Sequence, residues 1–110
     1  MQVLINGDKH LNLNGESIQQ WQEEITDALE RFSDWITRIE VHVTDENSAA
    51  KGGGDDIRCL MEARPKNHQP VSIEVHAQAL GYAIRDAIDT LEKRLSTILE
   101  KARTEQRKSN

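Results

Sequence analysis

The sequence has few residues that cross-link, kink or stiffen a chain: one cysteine, two prolines and four aromatic side chains among 110 residues. The single cysteine excludes an internal disulfide and fits a reducing compartment. Because Cys59 falls on the inward side of a predicted strand, we expect a buried, unreactive thiol. No apolar run approaches the roughly 18 residues of a membrane span, and the opening MQVLINGDKH lacks the pattern of a signal peptide. We therefore expect a cytoplasmic protein that does not contact a membrane.

Charge is unevenly distributed along the chain. The net charge of −5, from 14 basic and 19 acidic side chains, argues against a simple polyanion binder. Residues 1–50 carry three basic and ten acidic side chains, whereas residues 51–110 carry eleven and nine. The segment from Lys93 to Lys108 alone carries six basic and two acidic residues. Contact with an anionic polymer is therefore predicted at the C-terminal end.

Hydrophobic periodicity predicts the element order strand–helix–strand–strand–strand–helix. Apolar residues alternate in four predicted strands, over residues 2–6, 38–44, 57–64 and 71–76. Two apolar stripes at three- and four-residue steps predict helices, the first from Ile18 to Ile36 and the second from Leu80 to Ala102. Asn14 or Ser17 caps the start of the first helix.

This order predicts an α+β two-layer sandwich, a four-stranded sheet with both helices on one face. The three later strands have short connections and should form an antiparallel meander, whereas the first helix permits a parallel crossover between strands one and two. We expect a single domain over residues 1–104 and a frayed basic tail over residues 105–110. The side chains predicted to face the helices are Val3, Ile5, Ile39, Val41, Val43, Cys59, Met61, Val71, Ile73 and Val75.

No constellation of residues predicts catalysis or a metal site. The triple glycine at residues 52–54 joins two strands and lacks the lysine and hydroxyl of a phosphate loop. The four histidines never fall at metal-ligand spacing, and no serine, histidine and carboxylate are arranged for nucleophilic catalysis. An enzyme that uses the open sheet face, through His42, Glu62, Arg64 and His76, is the weakest alternative. We predict no enzymatic activity, no cofactor, no metal and no small-molecule substrate.

Basic side chains that avoid the apolar stripe of the last helix are the candidate nucleic-acid contacts. If they bind, their partner should be a phosphate backbone. The alternative is an ordinary solvated helix face, the commoner use of such charge. The candidates on this helix are Lys93, Arg94, Lys101, Arg103, Arg107 and Lys108.

Two segments resemble a known family: TRIEVHVTDENSAAKGGGDDIRCLMEARP at residues 37–65 and AIRDAIDTLEKRL at residues 83–95. Both are similar to the ribosome hibernation-promoting factors, also called the sigma-54 modulation or ribosomal subunit interface family, and especially to its short ribosome-associated branch. The resemblance implies a β-α-β-β-β-α fold similar to a double-stranded-RNA-binding domain. It also implies a non-enzymatic protein that occupies the messenger and transfer RNA channel of the small ribosomal subunit and silences translation. We expect it to act as a monomer.

The last helix matches the family pattern A-I-x-x-x-I-D-x-L-E-[KR]-x-L, and Lys93 stands where the family usually has an RNA-facing basic residue. Gly81 stands where family members commonly have a tyrosine, and Thr90 stands where they frequently have a lysine. The first helix differs most from the family, because family members carry lysines and arginines there that contact ribosomal RNA. In this chain Arg31 is the only basic residue of that face, and the other side chains are Gln20, Gln22, Glu23, Glu24 and Asp27.

Either RNA contact therefore shifts away from the acidic side chains of the first helix, or the protein binds ribosomes weakly. Besides the last helix, the predicted contacts are Arg31, the loop residues Lys51 and Lys66, and Arg38, Arg58 and Arg64 of the open sheet face. The acidic first helix leaves a second partner open, a basic ribosomal protein. It also leaves open an alternative function, a protein-binding regulatory module of the same fold that has lost ribosomal RNA binding.

Overall fold

The computed structural model describes residues 1–8, 11, 13–46 and 57–108, with side chains described as far as residue 105. The regular elements are β1 (Gln2–Gly7), α1 (Gly15–Ala28), β2 (Ile36–Asp45), β3 (Ile57–Pro65), β4 (Val71–Ala77) and α2 (Leu80–Lys108). A short 3-10 turn (Glu30–Phe32) follows α1. The element order is the predicted one. Most of the predicted glycine-rich loop, including Lys51, lies outside the described residues.

The four strands form one mixed sheet in the order β1-β2-β3-β4. β1 pairs in parallel with β2, with Val3 opposite Ile39, because α1 carries the chain back between them. β2, β3 and β4 form an antiparallel meander in which Val41 faces Met61 and Met61 faces Ile73. The predicted parallel crossover and meander are both confirmed.

A single hydrophobic core lies between the sheet and the two helices. Of the side chains predicted to face the helices, all are buried except Val75, which is half-buried. Cys59 has no exposed surface, and burial raises the pKa of its thiol to about 12. Within the described residues, no polar or charged residue is buried. Removal of apolar surface from water therefore holds both helices on one face of the sheet.

The first helix is shorter than its apolar stripe predicts. α1 ends at Ala28, the 3-10 turn contains Phe32, and Ile36 is already the first residue of β2. A helix continued from residue 28 to residue 36 would extend about 12 Å further and carry Ile36 away from the strand it must enter. Asn14 is the N-cap, since its side-chain Oδ1 accepts a hydrogen bond from the Ser17 amide at 2.9 Å.

The second helix is longer than predicted and extends past the end of the sheet. It continues to Lys108, whereas the sequence predicts a frayed tail from residue 105. Burial ends earlier: Leu95 is fully buried, Leu99 is half-buried and Ala102 is exposed. A 29-residue helix is about 43 Å long, and the seven residues of β4 span about 23 Å. The last turns of α2 therefore project from the body of the molecule, whose longest dimension is 58 Å against 27 and 18 Å.

The projecting turns stay helical because residues 100–108 contain no glycine or proline and are rich in strong helix formers. No helix end marks the predicted division at residue 104, so that division remains a prediction. Neither helix in the described part of the chain has the apolar segment that crossing a bilayer requires.

Candidate nucleic-acid interface

Arg58, on the open face of the sheet, is paired with a carboxylate. Its Nη2 donates a hydrogen bond to Glu74 Oε1 at 2.7 Å. This bond lowers the pKa of the Glu74 carboxyl and raises the pKa of Arg58. Beside it, His76 Nε2 lies 3.1 Å from Glu46 Oε1 and 3.8 Å from Glu74 Oε2. The charge of Arg58 is therefore compensated on this surface.

A second charge network joins β2 and β3 on the same face. Arg64 lies 3.1 Å from Glu62 and 3.4 Å from Glu40. Arg38 lies 3.7 Å from Glu40. Glu40 and Glu62 are register partners, so the two arginines offset the repulsion between like charges directly opposite each other. With two cations and two carboxylates, this network has no net charge to attract phosphate.

The structure does not bring the open-face histidines together. His42 lies on β2 and His76 on β4, with β3 between them. In the part of the chain that the structure describes, no three histidine, cysteine or carboxylate side chains are placed to share a metal ion.

The basic side chains of α2 project from different sides of the helix. Arg85 faces α1, where its Nε donates a hydrogen bond to Glu24 Oε2 at 3.1 Å. Arg103 follows Arg85 by eighteen positions, about five full turns, and leaves the same side of the helix. Arg94 follows Arg85 by nine positions, about two and a half turns, and leaves the opposite side. Lys101 lies about two turns after Arg94 and continues that opposite side.

Arg94 and Lys101 lie on the side of α2 away from α1, and Lys93 lies about a quarter turn from them; we call these three residues the far-side basic cluster. All three residues are exposed, and Lys93 and Arg94 line a shallow hollow together with Thr90 and Thr97. None of the three forms an ion pair with a carboxylate among the described residues. Their charges are therefore available to an external anion.

The other predicted contacts are dispersed. Lys66 is exposed in the β3–β4 turn, next to Asn67, whose φ of 57° suits an asparagine. Arg31 lies in the 3-10 turn, over the ring of Phe32. The side chains of Arg107 and Lys108 lie outside the described part of the chain.

The outward side of α1 carries Glu16, Gln20, Glu23 and Asp27 at three- and four-residue steps, and we call this surface the acidic ridge. All four are exposed, and none of its carboxylates forms an ion pair within the described residues. Unpaired carboxylates repel phosphate, so α1 is a poor surface for RNA.

Two other polar residues of α1 are used inside the fold. Glu24 pairs with Arg85. Gln22 Nε2 donates a hydrogen bond to the Val3 carbonyl at 2.9 Å and so ties α1 to the edge strand β1.

Sequence reasoning missed the contact between Arg31 and α2. Arg31 Nη2 donates a hydrogen bond to Ser96 Oγ, although the two residues are 65 positions apart. Ser96 gives no signal in the sequence, because a lone helical serine has no distinguishing pattern. Only the packing of the 3-10 turn against α2 brings the two together.

The four-stranded mixed sheet with two helices packed on one face defines an α+β two-layer sandwich. The family described as "Sigma 54 modulation protein / S30EA ribosomal protein" matches residues 7–103. The chain belongs to this family, and the resemblance identified in the sequence is confirmed.

Two solved structures with the same fold have low sequence identity to this chain. The N-terminal domain of Protein Y from Thermus thermophilus is 23% identical, with a TM-score of 0.63, over 87% of this chain and 94% of that chain. A ribosomal subunit interface protein from Coxiella burnetii is 14% identical, with a TM-score of 0.58, over 91% of this chain and 99% of that chain. At these identities the likeness establishes the fold. No curated protein sequence matches the chain significantly.

Proposed function

We propose that the protein is a ribosome-associated factor that silences translation by occupying the small subunit near the messenger and transfer RNA channel. The observation that carries this proposal is the family match over residues 7–103. A structural neighbour described as a ribosomal subunit interface protein supports it. In this proposal the protein acts in the cytoplasm as a monomer, by steric occupancy, without catalysis or a cofactor.

The far-side basic cluster is the surface that we propose to contact ribosomal RNA. Its three cations have no internal counter-ion among the described residues, so phosphates would replace only their solution counter-ions. They lie on α2, which extends past the end of the sheet. The side of α2 away from α1 is therefore accessible to a large, concave partner. Lys66 would supply a further contact from the β3–β4 turn, and Arg107 and Lys108 would extend the helix contact.

The sheet arginines contribute little to RNA binding in this proposal. Arg38, Arg58 and Arg64 already hold carboxylates, and an RNA phosphate would have to displace Glu40, Glu62 or Glu74. Arg58 and Arg64 join neighbouring strands through Glu74 and Glu40, whereas Arg38 pairs with Glu40 within β2.

Ribosome binding can be tested with a neutralised variant and a control of equal net charge. The variant Lys93→Gln/Arg94→Gln/Lys101→Gln removes three positive charges. The control Gln2→Glu/Asn6→Asp/Gln78→Glu adds three negative charges at exposed positions away from the cluster, the acidic ridge and the β3–β4 turn. Binding of each protein to purified small subunits would be measured by sedimentation at several salt concentrations.

We expect the neutralised variant to bind at least tenfold more weakly than the unmodified protein. The dependence of log affinity on log salt should fall by about 2, since each lost single-strand phosphate contact contributes about 0.7. The control should keep the affinity and the salt dependence of the unmodified protein. Equal loss in both variants would show that net charge alone matters, and a wild-type protein that stays at the top of the gradient at low salt would refute the function.

The acidic ridge favours a second candidate, a protein-binding regulatory module. Glu16, Glu23 and Asp27 offer uncompensated negative charge to a basic partner protein, which could also be a basic ribosomal protein. Affinity capture with the tagged chain separates these cases. Recovery of one non-ribosomal protein without ribosomal RNA supports the regulatory module, and recovery of ribosomal RNA supports the ribosomal factor.

A further inference from the structure

Two arginines that are far apart in the sequence line one cleft. Arg31 in the 3-10 turn and Arg103 in α2 face a cavity of about 160 Å³ between these two elements. The other lining residues are Phe32, Ser96, Leu99 and Glu100. We call this the arginine cleft. It lies on the α1 side of α2, opposite Arg94 and Lys101 of the far-side basic cluster.

The Arg31 guanidinium is held in place before any ligand arrives. Its carbon lies 4.4 Å from the centroid of the Phe32 ring, and Phe32 is a fixed platform because it is only 1% exposed. Its Nη2 donates a hydrogen bond to Ser96 Oγ. The stacking and the hydrogen bond together fix the plane of the group, so little conformational freedom is lost when its remaining N–H groups bind.

The polar groups of the cleft match a phosphate. A guanidinium offers paired N–H donors to two oxygens of one phosphate, and Arg103 adds a second guanidinium. Because Ser96 Oγ accepts from Arg31, its own hydroxyl hydrogen is free to donate to an anion. The cavity has room for several water molecules, and hence for a phosphate group that displaces them.

The charge balance of the cleft is positive. Two arginines face one carboxylate, Glu100, and neither arginine forms an ion pair with a carboxylate in the described ranges. Arg85, on the same side of α2, differs because Glu24 compensates it at 3.1 Å.

We propose that the arginine cleft binds a phosphate group of an RNA strand, as a second contact on α2 besides the far-side basic cluster. That this strand is ribosomal RNA rests on the proposed function. Since the two sites share no residue, their contributions to RNA affinity should add.

The test uses the full chain and three probes: inorganic phosphate, single-stranded octauridylate and purified small ribosomal subunits. NMR signals of the arginine Nε groups report on each guanidinium directly. The variant Arg103→Gln is compared with the matched control Arg85→Gln, which removes one arginine from the same side of the same helix. Thermal unfolding of both variants checks that they fold.

We expect octauridylate to shift the Arg31 and Arg103 signals but not that of Arg85. Arg103→Gln should weaken octauridylate binding about fivefold and reduce its salt slope by about 0.7. Arg85→Gln should change the affinity less than twofold. Unmoved Arg31 and Arg103 signals, or equal effects of the two variants, would overturn the proposal, as would a response to inorganic phosphate without a response to octauridylate.

The measurement with small ribosomal subunits distinguishes a failure of this proposal from a failure of the function on which it rests. If octauridylate binds in the cleft but the protein does not sediment with subunits, the cleft is supported and the ribosomal function fails. If subunit binding is intact in Arg103→Gln and no probe moves the cleft signals, the cleft fails and the ribosomal function stands.

Discussion

The arginines of this protein differ in what surrounds them, and that difference separates structural from interaction roles. Arg58 and Arg64 each contact a glutamate on the open sheet face. Arg94 and Arg103 contact no carboxylate within the described residues and remain available to an anion. An arginine already bonded to a carboxylate must lose that bond before it binds phosphate.

The Arg58–Glu74 pair predicts a pH-dependent contribution to stability. The hydrogen bond from Arg58 lowers the pKa of the Glu74 carboxyl from 4.5, so the folded state favours the ionised form. The stabilisation is fully present above the unfolded-state pKa and is lost as the pH falls through the lower, folded-state value. We expect Glu74→Gln to lower the Tm at pH 7 and to have little effect at pH 2.

Circular dichroism melting curves between pH 2 and pH 7 would measure this difference. Glu105→Gln is the matched control, because Glu105 is exposed on the projecting helix and forms no ion pair with another described residue. An equal loss of Tm at both ends of the pH range would show that the carboxylate charge is not the stabilising feature.

At the scale of elements, α2 has two parts with different sources of stability. From Ala83 to Leu95 the side chains of its apolar stripe are enclosed between helix and sheet. Beyond Leu99 the helix has no sheet beneath it and depends on its own backbone hydrogen bonds and on residues with high helix propensity. The apolar stripe seen in the sequence continues to Ala102 and does not show where the sheet ends.

Matched leucine substitutions test this division. Leu95→Ala should reduce the free energy of unfolding by about 2–5 kcal/mol, the usual cost of deleting an enclosed leucine side chain. Leu99→Ala should cost less than about half as much, since Leu99 is only half-buried. Urea unfolding measures both, and equal costs would mean that the core extends along the helix beyond Leu95.

At the scale of the whole molecule, charge is segregated between the two helices. The acidic ridge lies on α1, and the far-side basic cluster lies on α2. With a net charge of −5, long-range attraction to RNA is weak, so RNA binding in the proposed function would depend on short-range contacts from α2. In that function the acidic ridge would be turned away from phosphate.

Neutralising the acidic ridge should therefore strengthen ribosome binding. We expect Glu16→Gln/Glu23→Gln/Asp27→Asn to raise the affinity for small subunits about threefold at 50 mM salt. The gain should shrink at 150 mM, where the Debye length is about 8 Å. Gln20→Ala, a ridge substitution without charge change, is the control for structural disturbance. A loss of affinity in the neutralised variant would instead identify the ridge as a contact for a basic protein.

The local pattern of side chains was sufficient to predict most of the architecture. Alternation in β2 and β3 places Val41 and Met61 inward whatever the strands pair with, because successive side chains of a strand point to opposite faces. The short connections between the last three strands leave the meander as the simplest pairing. The basic residues of α2 are identifiable for the same local reason, because they occupy helix positions outside the apolar stripe.

Which of those cations are free depends on how the elements pack together. The pairing of Arg64 with Glu40 depends on the β2–β3 register, and the meeting of Arg31 with Ser96 depends on where α1 stops. The point at which α2 leaves the sheet likewise depends on strand length. The order of strands and helices, their inward faces and the family can be read from the sequence, because these follow from local periodicity and motif. The electrostatic partners were set by long-range packing, which local patterns do not encode.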